Sequence, residues 1–236
     1  MKLLSQIENA YKSNQKLLAV LIDPEKFNVA NAAQFLENLP AQTTHLFVGG
    51  STGTELETQK TVEVLKNNSS LPVILFPGDV SQITQIADGI LFLSLLSGDN
   101  PEYLIGQQRK AVEKLRNSNL EIIPTGYILI DGGKESAVER ISKTRPMDPK
   151  DITKITETAL AGQYSGKKLI YLEAGSGALK RVNDKIITNV SKELEVPLIV
   201  GGGIKSKQAL DQVYQCGATM AVIGTAFEDN NYKGEL

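Results

Sequence analysis

Residues 197–224 read PLIVGGGIKSKQALDQVYQCGATMAVIG. An apolar run rich in Val and Ile ends on Gly201, Gly202 and Gly203. A stretch with helical spacing opens at Ser206 and stops at Gly217, and a second apolar run ends on Gly224. Runs that are continuously apolar, rather than alternating, fit strands covered on both faces. Two such strands joined by a helix form a parallel crossover unit.

The same unit recurs along the chain. The remaining strand-length runs are KLLAVLID (16–23), THLFVGG (44–50), PVILFPG (72–78), GILFLSLLS (89–97), EIIPTGYILI (121–130) and KLIYLEAG (168–175). Helical spacing is evident at 28–39, 54–68, 101–117, 151–163 and 206–217. Asn28, Thr54, Asn100 (before Pro101) and Ser206 stand where helices begin. Eight strands alternating with helices in 236 residues predict a (β/α)₈ barrel, one domain spanning 1–236. The competing architecture is an open doubly wound sheet, which more often has about five or six strands. One interval is irregular: 77–88 is too short for a full barrel helix, so the outer ring should be thin there.

Composition excludes several classes. The chain is 41% hydrophobic and 22% charged, with a formal net charge of −2. That gives ample core and no basic surface for nucleic acid or anionic lipid. A single cysteine, Cys216, rules out an internal disulfide framework and points to the cytoplasm. The amphipathic N-terminus lacks the apolar stretch of a signal peptide. No apolar run approaches the roughly 20 residues of a membrane span.

In such barrels the active site lies at the C-terminal ends of the strands, and the loops after strands seven and eight commonly hold a phosphate. Gly201–Gly203 follow the seventh run; Gly224 and Thr225 follow the eighth. Glycines let backbone amides approach phosphate oxygens, and the helix that follows adds its dipole. Gly175, Ser176 and Gly177 can close the same pocket. Glu173 then stands beside whatever carries the phosphate, where a carboxylate can bind hydroxyls or take a proton; a strand-end salt bridge is its structural alternative. Asp23 ends the first run, and Ser51 and Thr52 sit at the same rim. One carboxylate with hydroxyls is a poor zinc site but a fair Mg²⁺ site; a turn with Pro24 would equally account for Asp23. His45, at a strand start, and Cys216, at a helix end, read as structural.

LIDPEK (21–26), GGSTGT (49–54), YLEAGSG (171–177), VGGGI (200–204) and IGT (223–225) together resemble the geranylgeranylglyceryl phosphate synthase family across essentially the whole chain. These are prenyltransferases on a modified (β/α)₈ barrel with an incomplete third helix. The resemblance implies that Asp23 and Thr52 hold Mg²⁺. It implies that Tyr171, Leu172, Glu173, Ala174, Gly175, Ser176, Gly177, Gly202, Gly203, Gly224 and Thr225 hold sn-glycerol 1-phosphate, with Glu173 and Asp23 in the catalytic roles. A bacterial heptaprenyl branch typically has lysine two residues before the metal aspartate; here that residue is Leu21, which favours the geranylgeranyl branch and leaves prenyl transfer with a different chain length open. The expected partners are sn-glycerol 1-phosphate, a prenyl diphosphate, a second copy of the chain and a membrane surface for product release, with no nucleic acid. A phosphosugar isomerase and a non-catalytic phosphate-binding barrel remain open. A lipid-sized substrate further predicts an apolar trough running from Asp23 past Phe76, Pro77, Leu93 and Tyr103 to the 77–88 gap.

Overall fold

In the computed structural model, which describes residues 2–50 and 52–224, eight parallel strands close into a barrel in sequence order. They are β1 (Leu17–Ile22), β2 (Thr43–Val48), β3 (Val73–Leu75), β4 (Gly89–Leu95), β5 (Glu121–Leu129), β6 (Leu169–Glu173), β7 (Leu198–Gly201) and β8 (Met220–Ile223). Each falls inside one of the apolar runs read from the sequence, except that β2 begins one residue earlier, at Thr43.

The strands bury both faces in two separate layers. Leu18, Val20, Leu46, Val73, Ile170, Leu172 and Val200 face outward into the shell under the helices. Ala19, Phe47, Ile74, Leu91, Ile123, Tyr171, Ile199 and Met220 face inward and fill the barrel. This two-sided burial is why the strand pattern is continuous rather than alternating. Because side chains alternate along a strand, the inward position of Tyr171 fixes the inward position of Glu173 two residues on.

The floor of the barrel is closed by α1 (Leu3–Lys12), whose Leu3, Ile7 and Ala10 join the inner layer. Its N-terminus is capped from a distance: the Glu121 carboxylate accepts from the N–H of Leu3 at 2.5 Å and of Leu4 at 3.0 Å. A carboxylate there also meets the positive end of the helix dipole. His45 lies buried at the same N-terminal end. Burial pushes its pKa down to about 4, so the ring stays neutral. This is a structural position.

The outer helices are α2 (Ala32–Glu37), α3 (Glu55–Asn68), α4 (Gln107–Arg116), α5 (Ala137–Ser142), α6 (Ile152–Tyr164), α7 (Asp184–Glu193) and α8 (Lys207–Gln215). The expected caps are in place. Thr54 and Glu57 form a capping box on α3, and Ser206 accepts from the Ala209 N–H on α8. Asn28 caps a 3₁₀ turn (Val29–Asn31) leading into α2. Asn100 accepts from Glu102 N–H at 3.0 Å and starts a π-helical turn (Glu102–Gly106) that runs into α4. Cys216 is half-buried against the outer shell.

Between β3 and β4 the chain makes only a 3₁₀ turn (Val80–Gln82), packed against both α3 and α4. The third helix is indeed incomplete. Lys114 of α4 and Glu55 of α3 pair at 2.7 Å across the thinned ring. No helix among the described residues is long and apolar enough to cross a membrane.

Candidate active site

The C-terminal ends of the strands open into one cavity of about 460 Å³. Its floor is aromatic. The rings of Phe76, Tyr127 and Tyr171 stand 5.3–5.9 Å apart, and Phe47 lies beneath Phe76. The barrel interior below is therefore filled, and anything the cavity binds lies above these rings.

Glu173 ends β6 on the inner face and is only 6% exposed. Its Oε1 accepts from the Gly175 N–H at 2.7 Å. The Tyr171 hydroxyl is close enough to stabilise the carboxylate but is not aligned as a hydrogen bond. Burial dominates over these contacts and raises the Glu173 pKa to about 7. A carboxylate so poised can take a proton near neutral pH. Burial, and then the charge of Glu173, push the phenols of Tyr127 and Tyr171 well above their usual value, so both remain protonated.

The glycines of the β7 loop make this burial possible. A Cβ on Gly202 would fall 2.3 Å from Glu173 Oε1, and one on Gly201 would fall 2.3 Å from the Tyr171 hydroxyl. Gly202 also has φ +81° and Gly203 φ +70°, the region that glycine enters at little cost. Only a chain without side chains can fold this loop onto the β6 end. Gly175, Ser176, Gly177, Gly202, Gly203 and Gly224 all line the cavity, as the phosphate reading requires of them. Leu172 and Ala174 point the other way, into the shell under the helices, and lend the cavity no side chain. Thr225 and Ser51 lie outside the described residues.

Three strands round the barrel from β6, Asp23 follows the end of β1. Its Oδ1 accepts from the Glu25 N–H at 3.1 Å and its Oδ2 pairs with Lys26 Nζ at 3.2 Å. The turn with Pro24 is thus real, yet Asp23 still lines the cavity. Gly50 lies directly under it: a Cβ there would be 2.8 Å from Asp23 Oδ1. Thr52 lines the same rim and donates to Glu25 Oε2 at 2.7 Å. Among the described residues no three His, Cys, Asp or Glu side chains are grouped to hold a metal by themselves. The donors present are hard oxygens from Asp23, Glu25 and Thr52. That set is too thin for zinc but fits Mg²⁺, which keeps waters and shares a substrate's phosphate oxygens.

From Asp23 the cavity runs past Gly49 and Gly50, then Phe76, Pro77, Leu93 and Tyr103, as the predicted trough does. A side pocket lined by Val80, Ile83, Ile90 and Ala111 shares Pro77, Gly78 and Leu93 with it, beside the missing helix. The sequence reading assigned no role to Lys26, Tyr127, Gln107, Gln108 or Lys205, or to Val138, Arg140 and Ile141 of α5, all of which line the cavity.

A barrel with paired glycine loops around a buried carboxylate, and an apolar channel leading off, defines a phosphometabolite enzyme that also accommodates a hydrocarbon. The comparisons narrow this class: the PcrB family model matches residues 11–235, and the chain belongs to that family. A geranylgeranylglyceryl phosphate synthase of Zunongwangia profunda is 57% identical over 232 residues, covering 98% of this chain and 99% of that protein. The synthase of Pyrococcus furiosus is 41% identical over 219 residues, covering 91% and 85%. Among solved structures, (S)-3-O-geranylgeranylglyceryl phosphate synthase from Thermoplasma acidophilum, in complex with its substrate sn-glycerol-1-phosphate, superposes with a TM-score of 0.89 at 36% identity. That match covers 97% of this chain and 92% of the other.

Proposed function

We infer that this chain is a prenyltransferase that joins the 3-hydroxyl of sn-glycerol 1-phosphate to geranylgeranyl diphosphate, giving geranylgeranylglyceryl phosphate and diphosphate, and that it does so with Mg²⁺ at the Asp23 rim. The observation that carries the reading is the single cavity that joins the Glu173–glycine end to the apolar trough through Asp23.

The glycine loops hold the phosphate of the acceptor, with Gly175–Gly177, Gly202, Gly203 and Gly224 presenting backbone to it. Glu173 accepts a hydrogen bond from the 3-hydroxyl and takes its proton. The hydroxyl oxygen bonds to C1 of the prenyl group while the bond from C1 to the diphosphate oxygen breaks. Holding both substrates in one cavity makes this step effectively unimolecular. Asp23, with Thr52 and Glu25 beside it, would hold Mg²⁺, which when bound neutralises charge growing on the departing diphosphate. The hydrocarbon lies in the trough, where each buried CH₂ contributes roughly 0.8 kcal/mol. Catalysis in the cytoplasm, with product handed to a membrane surface, completes the reading, and a homo-oligomer is the expected form.

The direct test incubates the purified protein with labelled glycerol phosphate and a series of prenyl diphosphates, with and without Mg²⁺. Ether formation that needs the metal and peaks at the C20 diphosphate is expected. Turnover unaffected by chelation would remove Mg²⁺, and a peak at another length would change the donor.

Two substitutions probe the two ends of the cavity. Gly203 is a poor probe for the phosphate end, because a Cβ there would fall 2.9 Å from the Arg181 backbone nitrogen at an already left-handed φ. Gly224 is the better one: among the described residues the three atoms nearest its Cβ would be Leu21's, at 3.5–3.7 Å, an ordinary contact, and its φ lies outside the left-handed region. Gly224→Val should raise KM for glycerol phosphate about tenfold or more, the scale of one lost charge-assisted hydrogen bond, at an unchanged melting temperature. An unchanged KM would make Gly224 a turn residue only. At the other end, Leu93→Trp should shorten the longest prenyl diphosphate accepted and leave short donors nearly unaffected. If chain-length preference stays the same, the lipid runs elsewhere.

A further inference from the structure

The rim of the cavity holds a cation of its own. Lys26 Nζ lies 3.2 Å from Asp23 Oδ2, on the carboxylate assigned above to the metal, and Lys26 lines the cavity. Its backbone is fixed. The N–H groups of Lys26 and Phe27 both donate to the Asp23 carbonyl, at 3.1 and 3.0 Å, and the Phe27 ring packs edge-on against Phe35 at 5.2 Å. Its side chain is 61% exposed, whereas that of Asp23 is 20% exposed. A lysine–carboxylate pair open to water on the lysine side is modest in strength, and a lysine ammonium is a compact charge on a flexible stem. The loop therefore presents a positive charge on a flexible stem from a rigid base, beside a carboxylate that a divalent cation would also claim.

We propose that Lys26 is a positioning residue for the departing diphosphate and works by exchange. In the ligand-free protein its ammonium occupies Asp23. When a divalent cation and the diphosphate arrive together, the metal takes Asp23, and the displaced ammonium turns to a diphosphate oxygen. Two cations held by one carboxylate repel each other at close range, whereas a diphosphate carries enough negative charge to engage both. The exchange couples the two arrivals: metal alone must compete with Lys26, and metal with diphosphate need not. It also explains why the carboxylate set at this rim is so thin, since part of the cationic charge the diphosphate needs is already built into the loop. This inference rests on the assignment of Asp23 as the metal ligand.

Lys26→Met keeps most of the stem and removes the charge; Lys26→Arg keeps the charge. Mn²⁺ binding to the ligand-free protein, followed by water-proton relaxation, should become about threefold or more tighter in Lys26→Met, because a weak competitor is gone. Inorganic diphosphate binding at saturating Mn²⁺ should become about tenfold weaker in the same variant, the cost of one lost charged contact. Lys26→Arg should stay near the wild type in the diphosphate assay. The opposite signs are the signature. If neither affinity changes, Lys26 is a surface pair and the exchange is wrong. If both weaken, the residue supports the loop and the exchange is equally wrong. Asp23→Asn separates the layers. Loss of Mn²⁺ binding in Asp23→Asn together with no effect of Lys26→Met overturns the exchange alone. Unchanged Mn²⁺ binding in Asp23→Asn overturns the metal assignment itself.

Discussion

Glu173→Gln is expected to lower kcat/KM by about 10²-fold or more, the scale of a lost general base. Gln keeps the size of the side chain, and its carbonyl can still accept from the Gly175 N–H, which sits 2.7 Å from Oε1. What it cannot do is take a proton. In the wild type kcat/KM should rise with pH as Glu173 ionises around its raised pKa of about 7. In Glu173→Gln that limb should vanish, leaving only the acceptor's own phosphate ionisation near ~6. Stability gives an independent readout with a definite sign. The folded protein holds the Glu173 proton up to about 7, whereas the unfolded chain releases it near 4.5. Between these values the native state binds more protons, so this residue's contribution to stability falls as pH rises. Glu173→Gln removes that dependence. Its melting temperature should hold level with the wild type at acid pH and pull ahead as the pH is raised toward 7 and beyond. An inactive variant that is no less stable cannot be dismissed as misfolded. Wild-type turnover in Glu173→Gln would end the assignment.

This behaviour was half legible in the sequence. The place of Glu173 could be read, because the apolar run KLIYL fixes a strand and the acid that ends it must stand at the barrel mouth. Its poise could not. That depends on Gly201 and Gly202 letting a loop nearly thirty residues away lie on the carboxylate, a close approach seen only in three dimensions. The same division holds elsewhere. All eight strands were visible because two-sided burial writes itself as unbroken Val, Ile and Leu. The closure of the barrel floor by α1 was not, since its cap comes from Glu121 on β5 and no neighbouring residue announces it. The α7 helix left a signal that went unread: Asn183 caps it, and Ile186, Ile187 and Val190 form its buried face. The α5 wall of the cavity left almost none, being six residues inside a long loop. Glu25 and Lys26 were visible as letters of LIDPEK, but their pairing with Thr52 and Asp23 is a product of the turn that follows β1.

Asp23→Asn is expected to abolish metal-dependent turnover and weaken prenyl diphosphate binding, while leaving glycerol phosphate binding nearly intact. The substitution is well matched to the site. The Asn carbonyl oxygen can still accept from the Glu25 N–H, so the turn that Asp23 Oδ1 now stabilises survives, and its size respects Gly50 beneath. The charge is what is lost, and Mg²⁺ held by so thin a set, the Asp23 carboxylate with Glu25 and Thr52 beside it and oxygens shared with substrate, depends on that charge. The separation of the two substrates follows from the architecture. In the proposed reading the acceptor's phosphate belongs to the β6, β7 and β8 loops and the diphosphate to the β1 and β2 rim; β8 borders β1, but Glu173 on β6 and Asp23 after β1 stand three strands apart. Calorimetric titration with each ligand alone measures the two effects independently. A loss confined to the prenyl diphosphate would place the metal at Asp23. An equal loss for both ligands would mean that Asp23 serves the shape of the rim as a whole, and the division of the cavity into an acceptor end and a metal end would have to be abandoned.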